Sequence, residues 1–277
     1  MRKYVVVPVF KRLNHTINFV NSVSAEISNI TFVIVDDSPE RENYNYFKDY
    51  PNIITLLTSG DEWWCGTMRA GLNYIESLEL HDDDIIILAN NDVLLPLNTW
   101  RKIESNIRSD LIVHPRTITT DGVEVSSGCI VKSWFPYITI HPKGILIDTD
   151  IDLCTGRFLC MNISTYKKVG NISKNLVQYH GDYDFGLRAR KNGVRVVLLH
   201  DSNCILYDKD TGIKSYNVNS LTDFLNSFKS IKSPNNIKSK YDFLSNHFSK
   251  PYAVLITFSM VFNSILRFFS MKLKSYL

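Results

Sequence analysis

The sequence predicts an α/β fold: a mostly parallel sheet flanked by helices, with a helical tail at the C-terminus. Three observations carry this. Short continuous apolar runs recur at Tyr4 to Val7, Thr31 to Val35, Asn52 to Leu57 and Ile85 to Leu88, and such runs bounded by polar residues are strands buried on both faces. Segments with helical apolar spacing alternate with them, which gives repeated βαβ units and right-handed crossovers. Small polar and acidic residues follow the strands, as Asp36-Asp37-Ser38 and Asn90-Asn91-Asp92. That is the carboxyl edge, where open α/β sheets hold their ligands.

Taken in order, Tyr4 to Val7 is a β-branched strand that Pro8 is expected to end. Asn14 to Ile27 has Ile17, Val20 and Val23 at helical spacing. Met68 to Leu78 is a second helix. In the less regular second half, Leu111 to Val113, Ser126 to Val131 and Ile145 to Ile147 are short strands. Asp182 to Asn192 is a helix with Gly193 at its C-cap, and Val194 to Leu199 is a further strand. Asp208 to Asn219 is polar and is expected to be a mobile loop. The composition shifts at Leu221, so residues 1–220 are expected to form the main domain and 221–277 an extension. In the extension, 252–274 has Val254, Leu255, Phe258, Val261, Phe262, Ile265, Leu266 and Phe269 on one helix face.

The 277 residues suffice for one large domain and an appendage, with 44% hydrophobic and 21% charged residues supplying an ordinary core and surface. A formal charge of +3 without a recognition motif excludes nucleic acid as a partner. The five cysteines include no CxxC pair. They fit neither a disulfide framework nor a zinc site, and they indicate a reducing compartment. The first strand begins too early for a signal peptide, so a cytoplasmic location is expected.

Asp36, Asp37 and Asp92 bring carboxylates to one sheet edge. Hard oxygen ligands of this kind suit Mg²⁺ or Mn²⁺ completed by substrate phosphates; turn formation and helix capping are the alternative use. At the start of the helix from 182, Asp184 and Arg188 have i,i+4 spacing for an ion pair. Asp182 is left to face a cleft, where a carboxylate can take a proton from a hydroxyl, or to cap the helix. Gly66 and Gly71 flank a helix start where close backbone approach is needed. Trp63 and Trp64 beside them are either core aromatics or pocket walls.

The stretches VVVPVFKR at 5 to 12, FVIVDDS at 32 to 38, WWCGTMRAGL at 63 to 72, IIILANNDVLLP at 85 to 96, TGRFLC at 155 to 160 with KKVG at 167 to 170, and GDYDFGLRARKNG at 181 to 193 come in one order. In that order they resemble glycosyltransferase family 2, inverting enzymes of the GT-A (Rossmann-like) fold. The paired Trp, the NND and the GDYDFGLRAR most resemble its rhamnosyltransferase-like branch, which builds bacterial surface polysaccharides. The resemblance implies that Pro8, Phe10 and Asp36 hold the nucleotide base and ribose, that Trp64, Gly66 and Arg69 line the donor pocket, and that Asn91 and Asp92 match the Asp-x-Asp site. It makes Asp92 the ligand of the divalent metal, Asp182 the catalytic base, and Asp184 and Arg188 the residues that order the acceptor side. There are departures. Asn90 stands for the first Asp of Asp-x-Asp, Gly181 for a frequent Glu, and Arg69 for a common Asn. The His that many relatives carry after the last strand is replaced around Leu206 and Tyr207. His200, nearby but earlier, is weighed as a second metal ligand against a satisfied histidine at a strand end.

These roles imply a nucleoside-diphosphate sugar donor and a lipid-linked or polysaccharide acceptor. The apolar stretch from Tyr252 to Leu266 is shorter than the roughly 20 residues of a membrane span, and Arg267 interrupts it. An amphipathic helix lying peripherally on the inner face of the cell membrane is therefore expected; packing on the catalytic domain or on a second subunit of a homo-oligomer is the alternative. A non-catalytic sugar-nucleotide-binding subunit of a synthase is the other functional reading, favoured by Asn90 and Gly181. A nucleotidyltransferase is a third, but PVFKRLNH after the first strand lacks its Gly-rich loop.

Overall fold

The computed structural model describes residues 1–207 and 220–274; the polar stretch Asp208 to Asn219 lies outside the described residues. In chain order the first half contains β1 (Lys3–Val9), α1 (Leu13–Glu26), β2 (Ile30–Asp36), α2 (Glu42–Phe47), β3 (Ile53–Leu57), α3 (Trp63–Glu76) and β4 (Ile85–Ala89). Next come β5 (Val93–Leu94), α4 (Thr99–Glu104), β6 (Leu111–Thr119), β7 (Glu124–Val125), β8 (Gly128–Ser133), β9 (Ile138–Ile140), β10 (Thr149–Asp150) and β11 (Leu153–Cys154). The chain continues through β12 (Phe158–Asn162), α5 (Ile163–Val169), α6 (Gly181–Lys191) and β13 (Arg195–Leu206), and closes with α7 (Leu221–Ser227), α8 (Ile237–Ser245) and α9 (Lys250–Lys274).

The main sheet runs β10-β13-β6-β12-β4-β1-β2-β3. The β4-β1-β2-β3 and β6-β13 pairs are parallel, and β12 is antiparallel to β4 and β6. A small second sheet is built from β11, β8 and β9. Alternate residues of the central strands feed two cores. Val6, Val35, Ile86 and Leu88 pack with Met68, Leu72 and Phe185 on one face. Val5, Val7, Ile85 and Ile87 pack with Phe19, Val23 and Ile103 on the other. The continuous apolar runs in the sequence are thus strands with both faces covered.

Several boundaries differ from the sequence expectation. β1 continues through Pro8 to Val9. Its pairing with β4 ends at Val6 while that with β2 goes on, so Pro8 lies past the two-sided ladder and is tolerated. Ile145 to Ile147 is not a strand: Leu146 is 86% exposed, after Gly144 at φ +59°. The strand Phe158–Asn162, which begins in TGRFLC and runs two residues past it, lay unrecognised. The extension from Leu221 shares the main core, since Phe243, Leu244, Ala253, Ile256 and Met260 are buried in the same cluster as Val6 and Leu88.

Candidate active site

A cavity of about 520 Å³ opens at the carboxyl edge of β1, β2 and β4. Its walls come from seven places in the chain: the end of β1, the loop after β2, the start of α3, Asn90 to Asp92, Gly156, the start of α6, and Lys232.

The triplet after β4 divides its work. The Asn90 side-chain oxygen accepts the Trp64 indole N–H at 2.8 Å. Asn91 donates to the Thr16 hydroxyl at 3.0 Å. Both amides fix the loop, and Asp92, largely buried, lines the cavity between strand and solvent. Trp64 is held again at its backbone N–H, which donates to the Gln178 side chain at 2.9 Å. Its ring lies against Gly156, where a Cβ would come within 2.4 Å of the indole.

The two carboxylates after β2 serve different ends. Asp36 is buried under the edge and accepts from the backbone N–H groups of Ser38 at 2.9 Å and Tyr44 at 3.0 Å. It does not line the cavity. Asp37 does, and it also accepts from the Thr58 hydroxyl and from the N–H groups of Gly60 and Trp63 at 2.6 to 2.9 Å. Trp63 has a left-handed backbone, φ +56°. That conformation is costly for a bulky residue, and the bond to Asp37 offsets it. Asp37 therefore sets the start of α3 and the adjacent cavity wall together. Pro8 and the exposed Phe10 line the same cavity.

Asp182 lies in the first turn of α6. One oxygen accepts the Gly156 N–H at 3.0 Å and the other its neighbour Tyr183 N–H at 2.9 Å. Burial pushes its pKa above the ordinary carboxylate value, and these two donors and the Arg157 charge only partly oppose that. The carboxylate faces the cavity. Gly181 is explained by space: a Cβ there would lie 2.6 Å from the Cys65 sulfur, so a larger side chain has no room.

The remaining sequence candidates sit elsewhere. Gly66 and Arg69 face away from the cavity: a Cβ on Gly66 would meet the Glu62 carboxylate, and Arg69 pairs with Glu62 at 3.7 Å and donates to the Ser173 carbonyl. Asp184 is fully buried, accepting from Ser173 at 2.6 Å, Arg188 at 2.8 Å, Asn246 at 2.9 Å and His247 at 3.0 Å. Burial opposes its ionisation, but the His247 bond and the Arg188 charge hold its pKa well below the ordinary range. Arg188 also donates to the Asn171 carbonyl at 2.8 Å. Asp184 and Arg188 thus fasten α6 to α5 and the extension and do not reach the cavity. His200 pairs with Asp148 at 2.8 Å; it lies within β13, at the register shift after Leu199, and is not a cavity residue.

Sequence reading makes Asp37 a metal ligand or a turn former and does not foresee its bracing of α3; Gly156, Gln178 and Lys232 are among the cavity residues that it does not assign. The Lys232 ammonium sits 5.9 Å from the Trp63 ring centroid, although it belongs to the extension that begins at Leu221. No local pattern marks it, because its approach depends on the extension folding back. Among the described residues no three His, Cys, Asp or Glu side chains cluster as a preformed metal cage.

No family model matches the sequence, and no curated protein is similar to it in sequence. Solved structures do match in fold. GalNAc-T7, solved with UDP, GalNAc and Mn²⁺, superposes with a TM-score of 0.59 at 12% identity, over 91% of this chain and 52% of that one. S. aureus TarS 1-349 gives 0.57 at 12% identity, over 97% and 72%. The mannosyltransferase PcManGT from Pyrobaculum calidifontis, in complex with GDP-Man and Mn²⁺, gives 0.50 at 12% identity, over 92% and 72%. The chain thus spans about half the length of GalNAc-T7 and more of the other two. The architecture is the GT-A fold of these glycosyltransferases.

Proposed function

We propose that the chain is an inverting, metal-dependent glycosyltransferase. It moves a rhamnose-like or other hexose from a nucleoside-diphosphate sugar to a hydroxyl of a lipid-linked or polysaccharide acceptor in bacterial cell-surface glycan synthesis. One observation carries the reading: Asp92 and Asp182, ninety residues apart in sequence, line a single cavity at the sheet edge. Residues 1–220 form the catalytic unit, and 221–277 is an extension that adds Lys232 to the site.

The residues fit a hard divalent cation such as Mg²⁺ or Mn²⁺. Asp92 offers a carboxylate at the cavity wall, and a single protein carboxylate is the usual donor set when phosphate oxygens complete the shell. Bound there, the cation would neutralise charge on the departing diphosphate. Pro8 and Phe10 offer an apolar face to the nucleotide base, Lys232 adds a cation for phosphate, and Asp36 and Asp37 brace the loop beneath. On the acceptor side, an Asp182 oxygen takes the proton of the attacking hydroxyl. The hydroxyl oxygen bonds to the anomeric carbon as the carbon–oxygen bond to the diphosphate breaks, and the electron pair leaves with the diphosphate. A single in-line displacement inverts the anomeric centre. The raised pKa of Asp182 makes it a stronger base than a solvated carboxylate.

The reading as a non-catalytic subunit rested on Asn90 and Gly181, and the local packing gives both a use. The tail docks on the inner face of the cell membrane, where a lipid-linked acceptor is presented. A panel of nucleotide sugars tested by thermal shift, with and without Mn²⁺, checks the proposal. One donor should stabilise the protein, and more so with Mn²⁺; a panel with no stabilising donor would reject it.

A further inference from the structure

We propose that the chain docks on anionic bilayers through a composite surface, with the β8–β9 hairpin and the turn after it inserting beside helix α9. The proposal rests on the reading of the tail as membrane-facing, and adds a second inserting element and a lipid charge requirement.

Helix α9 is fixed along its length by its less apolar face. Ala253, Ile256 and Met260 are buried in the main core. The Ser259 hydroxyl accepts the Tyr137 N–H at 2.8 Å, and the Asn263 amide donates to the Tyr137 carbonyl at 2.7 Å. Further on, Phe268 stacks on Phe224 of α7 at 4.1 Å. What remains outward is a ridge at i, i+4 spacing: Val254, Phe258, Phe262, Leu266, then Phe269 and Leu273, each about half exposed or more. The helix is long and apolar enough to cross a bilayer by composition. Crossing would strip the buried contacts of Ile256, Met260 and Phe268, whereas lying flat keeps them and buries the ridge.

The Tyr137 bonds place the β8–β9 hairpin beside this ridge. The next residues, Ile138 and Ile140, point outward from one face of β9 and are half exposed. The turn that follows carries Leu146 and Ile147 almost fully into solvent. Exposed apolar residues grouped in this way mark an interaction surface.

Charge selects the partner. Residues 125–147 and 243–277 contain no Asp or Glu, although 28 of the 277 residues are acidic and these 58 would carry about six at that frequency. The cations are present: Lys132, Lys143, Lys250, Arg267 and Lys272. Arg267 and Lys143 both act electrostatically on His141 between β9 and the turn, so helix and turn present their charges together. A symmetric pairing of two copies would set these cations against their own images. An anionic headgroup layer receives them, each favourably near the surface.

Co-sedimentation of the full chain with phosphatidylcholine vesicles, and with vesicles that also contain phosphatidylglycerol, tests this. Binding should require phosphatidylglycerol and weaken with added salt. Phe258→Ser with Phe262→Ser, and separately Ile140→Ser with Leu146→Ser, should each weaken it about tenfold or more, with melting temperatures near that of the parent. If the helix variant loses binding and the hairpin variant does not, the tail still docks but the composite surface is wrong. If neither loses binding, the tail reading fails as well. Equal binding to neutral vesicles overturns the charge requirement. A lipid-free dimer abolished by both variants assigns the surface to a second copy and overturns the proposal.

Discussion

Replacing Asp184 with Ala should unfold the protein's hold on its own extension. The carboxylate is fully buried and accepts four side-chain hydrogen bonds, from Ser173, Arg188, Asn246 and His247. Two of these partners belong to the segment after α8, so one side chain joins α6 to the extension. Removing it leaves the Arg188 charge and the buried His247 without their carboxylate partner. Breaking a buried ion pair by deleting one partner costs about 3–5 kcal/mol, which in a chain of this size lowers the melting temperature by on the order of 10 °C. The exposed pair of Asp150 with Arg195 at 3.0 Å supplies a contrast, and Asp150→Ala should cost less than about 1 kcal/mol. The pH dependence adds a second readout. The folded pKa of Asp184 is depressed, so its contribution is fully present above the unfolded value of roughly 3.9 and is lost as pH falls through the lower folded value. Urea denaturation at neutral pH and at about pH 2, between the unfolded and folded values, measures both. A deficit for Asp184→Ala no larger than that for Asp150→Ala would refute the reasoning.

Further outcomes follow from the cavity. Asp92→Ala should remove the Mn²⁺-dependent part of donor affinity measured by calorimetry, and unchanged affinity in Mn²⁺ would remove Asp92 from the metal role. If Asp182 is the base, it acts deprotonated, and since burial raises its pKa, turnover should rise with pH along a limb lying above the ordinary carboxylate value; a limb at or below that value would contradict the proposed role. Lys240 is buried and its pKa is pushed down to about 7 by desolvation. The unfolded chain then binds the extra proton between about pH 7 and the free value of roughly 10.4, so stability should rise with pH across that window. Lys240→Met should flatten this slope in melting curves taken from pH 7 to 10.

The parallel half of the fold was legible because β1, β2, β3 and β4 are apolar runs with both faces covered, and nothing local competes with that pattern. Phe158–Asn162 was not, although it too is buried on both faces: it pairs antiparallel between β4 and β6, distant partners that only the closed sheet supplies. Asp92 and Asp182 were readable as strand-end and helix-start carboxylates, where position alone aims a side chain at the sheet edge. Asp184 has the same spacing signals but turns into the interior, because its four partners come from the loop after α5, from α6 and from the extension. Lys232 was hidden for the converse reason, being an ordinary lysine of the extension until that segment folds back over Trp63.

The central claim is that Asp182 is the base at a site whose donor side is Asp92. Asp182→Asn preserves shape, and the Asn side-chain oxygen can still accept the Gly156 N–H. Single-turnover transfer from the stabilising donor should then fall by about 10²–10⁴-fold, while donor affinity in Mn²⁺ stays at the parental value. Transfer at the parental rate with intact donor binding would contradict the account.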